Sequence, residues 1–253
     1  MKANLIKMYP LAFLLGISFL VLVPNLDVIQ TNIMEARNLI TAREMVRDNN
    51  WIFTTLNGQP RYEKPPLPTW LTASFGAAFG FDNLFILRLP AVLITILLIF
   101  YLYRFLNKFG FSLEQNLQAS LIAITSFYIF FAGRDNQWDI YCHAFMMVSI
   151  YYLYISLIDN FKSYFSITLS ILFFGFSFLS KGPVAPYALF LPFILAYFVT
   201  YRKFGLQNIF KVIIVISIGC LIGMIWPLYV RFFDEKDVIA AATQESSRWS
   251  GYN

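Results

Sequence analysis

The chain has 253 residues, of which 58% are hydrophobic and only 13% charged, with a mean hydropathy of +0.63. Soluble domains carry about 25% charge. Half that amount cannot cover a water-exposed globule of this size, which excludes a water-soluble enzyme, a disordered protein and a nucleic-acid-binding module. The net charge of +5 then reports cytoplasmic loops facing anionic lipid rather than a nucleic-acid partner. Cys142 and Cys220 lie in or beside apolar runs without metal-ligand spacing, so no disulfide framework is expected.

A helix crosses about 30 Å of hydrocarbon with about 20 residues. Apolar runs near residues 5–24, 84–106, 117–132, 142–158, 164–180, 184–201 and 209–230 predict an all-α integral membrane protein with seven transmembrane helices. The third run is short and reads as partly re-entrant. The first ends in Val-Pro-Asn-Leu-Asp with no small-residue cleavage pattern, so it is expected to remain as a span.

An inside N-terminus leaves Lys2, Lys7, Arg104, Lys108, Lys162, Arg202, Lys203 and Lys211 in the cytoplasm against only Glu114 and Asp159. The outside segments are then near neutral, which is the positive-inside pattern. Residues 1–253 read as one membrane domain. Its outside segments are a large first loop, 25–83, short stretches at 133–141 and 181–183, and the start of another loop at 231–253. No internal repeat is visible; inverted repeats would have favoured a transporter.

Within the first loop, apolar residues at Ile33, Ala36, Leu39, Ile40, Ala42, Met45 and Val46 have helical spacing over Asn32–Asp48. Arg37, Glu44, Arg47 and Asp48 fall on the wetter side of a helix expected to lie along the membrane surface. Asn57-Gly58 between two short runs predicts a tight hairpin. Pro65 and Pro66 open a second helix ending near Gly80. An ordered loop of two interfacial helices and a turn suits a lid or a site better than a linker.

The charged residues admit two readings each. Glu35, three after Asn32, fits a capping box; it also fits a general base for an incoming hydroxyl. Lys64, rigidly presented before two prolines, suits a phosphate at a helix N-terminus, and Glu63 suits a partner for it or for a divalent cation. The alternative is a snorkelling lysine in a surface ion pair. Arg134, Asp135 and Asp139 lie between spans three and four, where ionisable groups at a membrane boundary suggest function. Asp139 and His143, four apart, share a helix face and suit a metal; a lone histidine also suits a structural hydrogen bond. Lys181 ends span five, either capping carbonyls or facing the same outer site. Arg88, one turn inside span two, is expected to snorkel outward. One orientation places Glu35, Lys64, Asp139 and Lys181 on the same face. That convergence fits a reaction between a lipid-borne phosphate and a hydroxyl.

Met34-Glu-Ala-Arg37 through Ala42-Arg-Glu-Met45, Asn57-Gly58, Tyr62-Glu-Lys-Pro-Pro66, Trp70-Leu71, Leu87-Arg-Leu-Pro90 and Ser180-Lys-Gly-Pro183 occur in that order. This set resembles bacterial glycosyltransferases of the protein O-mannosyltransferase and aminoarabinose lipid A transferase superfamily, over most of the chain. The resemblance implies a GT-C membrane fold in a bacterial inner membrane, with a periplasmic active site. It implies a polyprenyl-phosphate-linked sugar as donor and a lipid A, glycolipid or protein as acceptor. Glu35 and Asp139 would be catalytic. Arg37, Lys64, Arg134 and Lys181 would bind the donor phosphate. Glu63, and on its own spacing His143, would hold a divalent metal ion. Two departures stand out: Met34 replaces the usual acid before Glu35, and the chain stops at Asn253 in an expected outside loop, before the further spans such proteins have. The rival expectation is therefore a truncated, non-catalytic subunit that binds polyprenyl lipid or a partner; a transporter ranks third, since few ionisable groups lie at mid-span.

Overall fold

The structure is a computed structural model that describes residues 7–158, 164–202 and 205–233. Lys2, Asp159, Lys162, Lys203 and the segment 234–253, all used in the topology expectation, lie outside the described residues. The elements run α1 Pro10–Leu22, α2 Ile33–Arg47, β1 Thr55–Leu56, β2 Gln59–Pro60, α3 Leu67–Phe79, α4 Leu84–Phe109, α5 Leu113–Thr125, α6 Phe127–Arg134, α7 Trp138–Ile158 and α8 Tyr164–Lys181. A π-helical turn at Pro186–Phe190 then leads into α9 Leu191–Tyr201, and α10 Leu206–Phe233 follows.

Every expected apolar run is helical. Four of the helices, α4, α7, α8 and α10, are long and apolar enough to cross a membrane unaided. The third run is broken: α5 and α6 together have the length and composition of a span but bend by 60°. The break falls at Ser126, whose ψ of 140° leaves the helical region. Its hydroxyl donates to the Ala123 carbonyl at 2.7 Å, satisfying one acceptor that the broken ladder frees. The first and sixth runs give shorter apolar helices, α1 and Pro186–Tyr201.

Helix α7 is the centre of the bundle, with 78% of its most apolar window buried, whereas α10 has 28%. One core cluster joins α7, α8, the π-helical turn, α9 and α10 through Met146, Leu153, Phe174, Phe190 and Val215. A second joins α1, α4 and α5 through Leu14, Val92, Ile99 and Ile124. Small residues let the backbones approach, as membrane helices require when lipid is as apolar as leucine. Ser149 and Ser170 each donate to the other's carbonyl, at 2.8 and 3.0 Å, which binds α7 to α8. Gly219 and Gly223 of α10 face Phe174 and Phe178 of α8; a Cβ on either glycine would lie 2.5 Å from the facing phenylalanine.

The first outer loop folds as its sequence directs. Asn32 caps α2, accepting from the Met34 and Glu35 amides at 2.9 and 3.0 Å. Asn57 and Gly58 both have positive φ, 55° and 74°, and close the hairpin in the register Thr55↔Pro60 and Leu56↔Gln59. Gly80, at φ 92°, ends α3. The loop is clamped to the bundle: the indole N–H of Trp226 on α10 donates to the Ile52 carbonyl at 2.8 Å, and that of Trp70 donates to the Trp51 carbonyl at 2.6 Å.

The face that α2 turns inward differs from expectation. Its buried residues are Glu35, Asn38, Thr41, Ala42, Glu44 and Met45, whereas Ile33 is 69% exposed. Glu44, expected on the wet side, is buried and accepts from the Thr55 hydroxyl at 2.5 Å and the Gly58 amide at 3.4 Å, holding the hairpin turn. Beside a membrane, the side facing away from the protein need not be polar, so apolar spacing alone does not point toward the core.

Candidate active site

The outer ends of α4 and α7 meet α2 and α3 in a buried polar network. Arg88 of α4 grips Glu35 side-on, Nε to Oε1 at 2.7 Å and Nη2 to Oε2 at 2.6 Å. Its Nη1 donates to the carbonyls of Leu26 and Ile29 at 2.6 and 2.9 Å. The backbone amide of Asn136 donates to Glu35 Oε1 at 3.2 Å. The Asn136 side chain donates to Thr72 Oγ1 and the Leu87 carbonyl and accepts from the Tyr141 hydroxyl at 2.7 Å. Asn38 donates to the Asn136 carbonyl at 2.9 Å and accepts from Thr69 at 2.7 Å.

This geometry corrects two expectations. Arg88 does not snorkel: it is 1% exposed and turns inward, because a bidentate carboxylate is available there. Glu35 is fully buried with both oxygens on that guanidinium, so taking a substrate proton would first require breaking the pair. Nor is the capping box completed, because the Glu35 side chain goes to Arg88 rather than back to Asn32.

Arg134 is also diverted. Its Nη1 and Nη2 donate to the carbonyls of Val21, Leu22 and Asn25, at 3.3, 3.0 and 2.7 Å. These are the orphan acceptors at the end of α1. Arg134 thus caps the first span, with its Nε left over.

Five further charged residues, Lys181, Asp139, Lys64, Arg37 and Asp135, are partly exposed. Lys181 donates to Asp139 Oδ1, joining the end of α8 to the start of α7, with side chains 25% and 30% exposed. Lys64 is half-buried just before Pro65 and the α3 cap Pro66, with no ion pair among the described residues. Arg37 is half-buried and, among the described residues, its side chain reaches the Met34 sulfur, 3.9 Å away. Asp135 accepts from Asn32 at 2.5 Å and from the Gln137 amide, while its other oxygen is buried without a partner. Burial, and then the neighbouring Glu35 charge, push its pKa above the ordinary aspartate value.

Of the expected metal ligands, Asp139 lies close enough to His143 on α7 for its charge to act on the imidazole. Glu63 is exposed, whereas His143 is half-buried on α7 beside the Tyr128 ring. Among the described residues no three His, Cys, Asp or Glu side chains converge to hold a metal ion. The described residues alone do not form a metal site.

Sequence reasoning missed Asn38, Thr72, Asn136 and Tyr141, which build the network, and Arg61 and Trp138. The one available signal was the density of Asn and Thr facing inward at Asn38, Thr41, Thr69 and Thr72, at helical spacing.

The helical bundle and its docked outer loop define a multi-pass membrane protein of the GT-C kind. Residues 63–229 match the model of the dolichyl-phosphate-mannose-protein mannosyltransferases. The chain belongs to that family of membrane glycosyltransferases. Its fold is similar to crystal structures of ArnT from Cupriavidus metallidurans. The apo state matches with a TM-score of 0.72 at 18% identity, covering 94% of this chain and 44% of that one. The state bound to undecaprenyl phosphate matches with a TM-score of 0.73 at 19% identity, covering 87% and 41%. The chain thus spans less than half the length of those structures. No curated protein matches the sequence.

Proposed function

We propose that this chain carries the donor-lipid site of a glycosyltransferase that moves a sugar from a polyprenyl-phosphate carrier to a lipid A, glycolipid or protein acceptor on the periplasmic side of a bacterial inner membrane. The observation that carries this reading is a set of loop cations, Arg37 and Lys64, that have no carboxylate partner among the described residues, together with the partly solvated Lys181–Asp139 pair. A cation at a lipid boundary is costly to leave unpaired, and an anionic headgroup is the available counter-charge. The solved neighbour that holds undecaprenyl phosphate supports the same ligand class.

In the reaction, an acceptor oxygen bonds to the sugar's anomeric carbon. The bond from that carbon to the carrier phosphate breaks, and its electron pair leaves on the phosphate, inverting the centre. Lys64 and Lys181 offset the charge growing on the departing phosphate, where fixed cations act most strongly. Asp139 takes the proton of a hydroxyl acceptor; a phosphate acceptor needs no base. Glu35 serves by holding Arg88 and the Asn136 backbone in place.

Native mass spectrometry of the detergent-purified chain tests the reading. A polyprenyl phosphate adduct on wild type, lost in Lys64→Ala, is expected. A folded wild type without adduct overturns it. A second reading, lipid binding without turnover, is favoured by one observation: Arg88 locks away Glu35, the carboxylate the sequence offers as a base. Adduct formation without transfer to any acceptor would assign the chain to that class.

A further inference from the structure

Arg61 is 6% exposed and Trp138 is 2% exposed, yet both carry donors with nothing to bind. Arg61 Nε, Arg61 Nη2 and Trp138 Nε1 are all buried without a hydrogen-bond partner. A buried donor left unmade is expensive, so three at one place call for an explanation. They are at one place: the guanidinium carbon lies 5.1 Å from the Trp138 ring centre. The remaining guanidinium nitrogen, Nη1, donates to the Thr41 hydroxyl at 3.3 Å.

The identity of the empty atoms is informative. Nε and Nη2 form one edge of the guanidinium. It is the same edge by which Arg88 grips both oxygens of Glu35. Arg61 therefore presents a complete bidentate fork with no oxyanion in it among the described residues, and the ring it stacks on carries a further unpartnered donor. Donors without acceptors select an oxyanion. The surrounding charge leaves room for one richer than a carboxylate: burial lowers the Arg61 pKa, Glu63 opposes that and Arg37 adds to it, and Lys64 follows three residues later, two cations to one carboxylate.

We propose that Arg61 and Trp138 form a phosphate-oxygen subsite at the junction of the outer loop with α7, two oxygens on the guanidinium fork and a third on the indole N–H. The inference rests on the functional reading above only for the source of the phosphate, a carrier lipid or the free ion.

The test measures binding of two probes to the full chain in detergent, inorganic phosphate and a short-chain polyprenyl phosphate. The proteins are wild type, Arg61→Lys, Trp138→Phe and Lys64→Ala. Trp138→Phe keeps the stacked ring and removes only the N–H. It is expected to weaken binding about tenfold, the value of one hydrogen bond to a charged group. Without ligand the variant should unfold no earlier than wild type, because it discards an unmade donor. Arg61→Lys, which loses the fork, should weaken binding at least as much. Unchanged affinity in both variants overturns the subsite. So does a Trp138→Phe protein that unfolds earlier while binding normally, which is the signature of a purely structural N–H, or a folded wild type that binds neither probe. Lipid binding that depends on Lys64 alone removes the subsite and leaves the lipid reading standing. Binding of inorganic phosphate through Arg61 and Trp138, with the lipid ignored, supports the subsite and removes the lipid reading.

Discussion

Arg88 and Glu35 are 53 residues apart and meet in a side-on pair at 2.6 and 2.7 Å, each almost wholly buried. The pair joins the first outer helix to a membrane span. It also orients the segment that carries Asp135, Trp138 and Asp139, because Glu35 accepts from the Asn136 amide.

Breaking one side of this pair should be worse than removing both. Arg88→Met leaves a buried carboxylate alone, and Glu35→Gln leaves a buried guanidinium alone, at a cost of about 3–5 kcal/mol each. The double variant should lose clearly less than the two single losses combined. Thermal unfolding in detergent checks this; additive losses would show that the two side chains act independently.

Lys181→Met should separate stability from ligand handling. The Lys181–Asp139 pair is partly solvated, so its loss should shift stability by no more than about 1 kcal/mol. Retention of polyprenyl phosphate in native mass spectra should nonetheless fall at least several-fold. A large drop in unfolding temperature with normal lipid retention would make the pair a structural clamp.

Asp135 should impose a pH dependence. Its folded pKa is raised by burial and by Glu35, so the folded state binds the proton more tightly than the unfolded chain does. The contribution is stabilising below the ordinary aspartate value of about 3.9 and is lost as pH rises through the raised folded value. Asp135→Asn should flatten that decline. Unfolding temperatures from mildly acidic to neutral pH, compared between wild type and variant, measure the difference.

Gly223→Ala should destabilise the contact between α8 and α10. The new Cβ would sit 2.5 Å from Phe178 Cβ, where little can move, and overpacking of this kind costs about 1–3 kcal/mol. Gly16, which has no atom within 4 Å of an added Cβ, is the control: Gly16→Ala should be neutral or slightly stabilising.

The elements were legible wherever a local rule sets them. Asn32 as a cap, Asn57-Gly58 as a turn, Gly80 as a stop and the apolar runs as helices each depend on neighbours in sequence. What escaped depends on partners far away. Arg88 read as snorkelling because its carboxylate lies 53 positions back. Glu44 read as solvated because the hairpin it fastens is a separate unit. Arg134 read as a phosphate ligand because its acceptors, the final carbonyls of α1, carry no side-chain signature. Arg61, though it opens the charged stretch before Pro65, and Trp138 carried no assigned role, since an unmade hydrogen bond is visible only after folding. The Gly219–Gly223 spacing was readable in principle as a membrane helix contact.

The bond from Trp226 to the Ile52 carbonyl spans 174 residues. A ribosome makes the outer loop early and α10 only near the end of the described sequence. The loop therefore leaves the translocation machinery before the helix that latches it exists. Until then its docking surface is incomplete, with Tyr62, Leu67 and Trp70 lacking the Trp226 and Val230 side chains they pack against. Ordering of the cationic face is thus a late event in biogenesis, timed by insertion of the last described span.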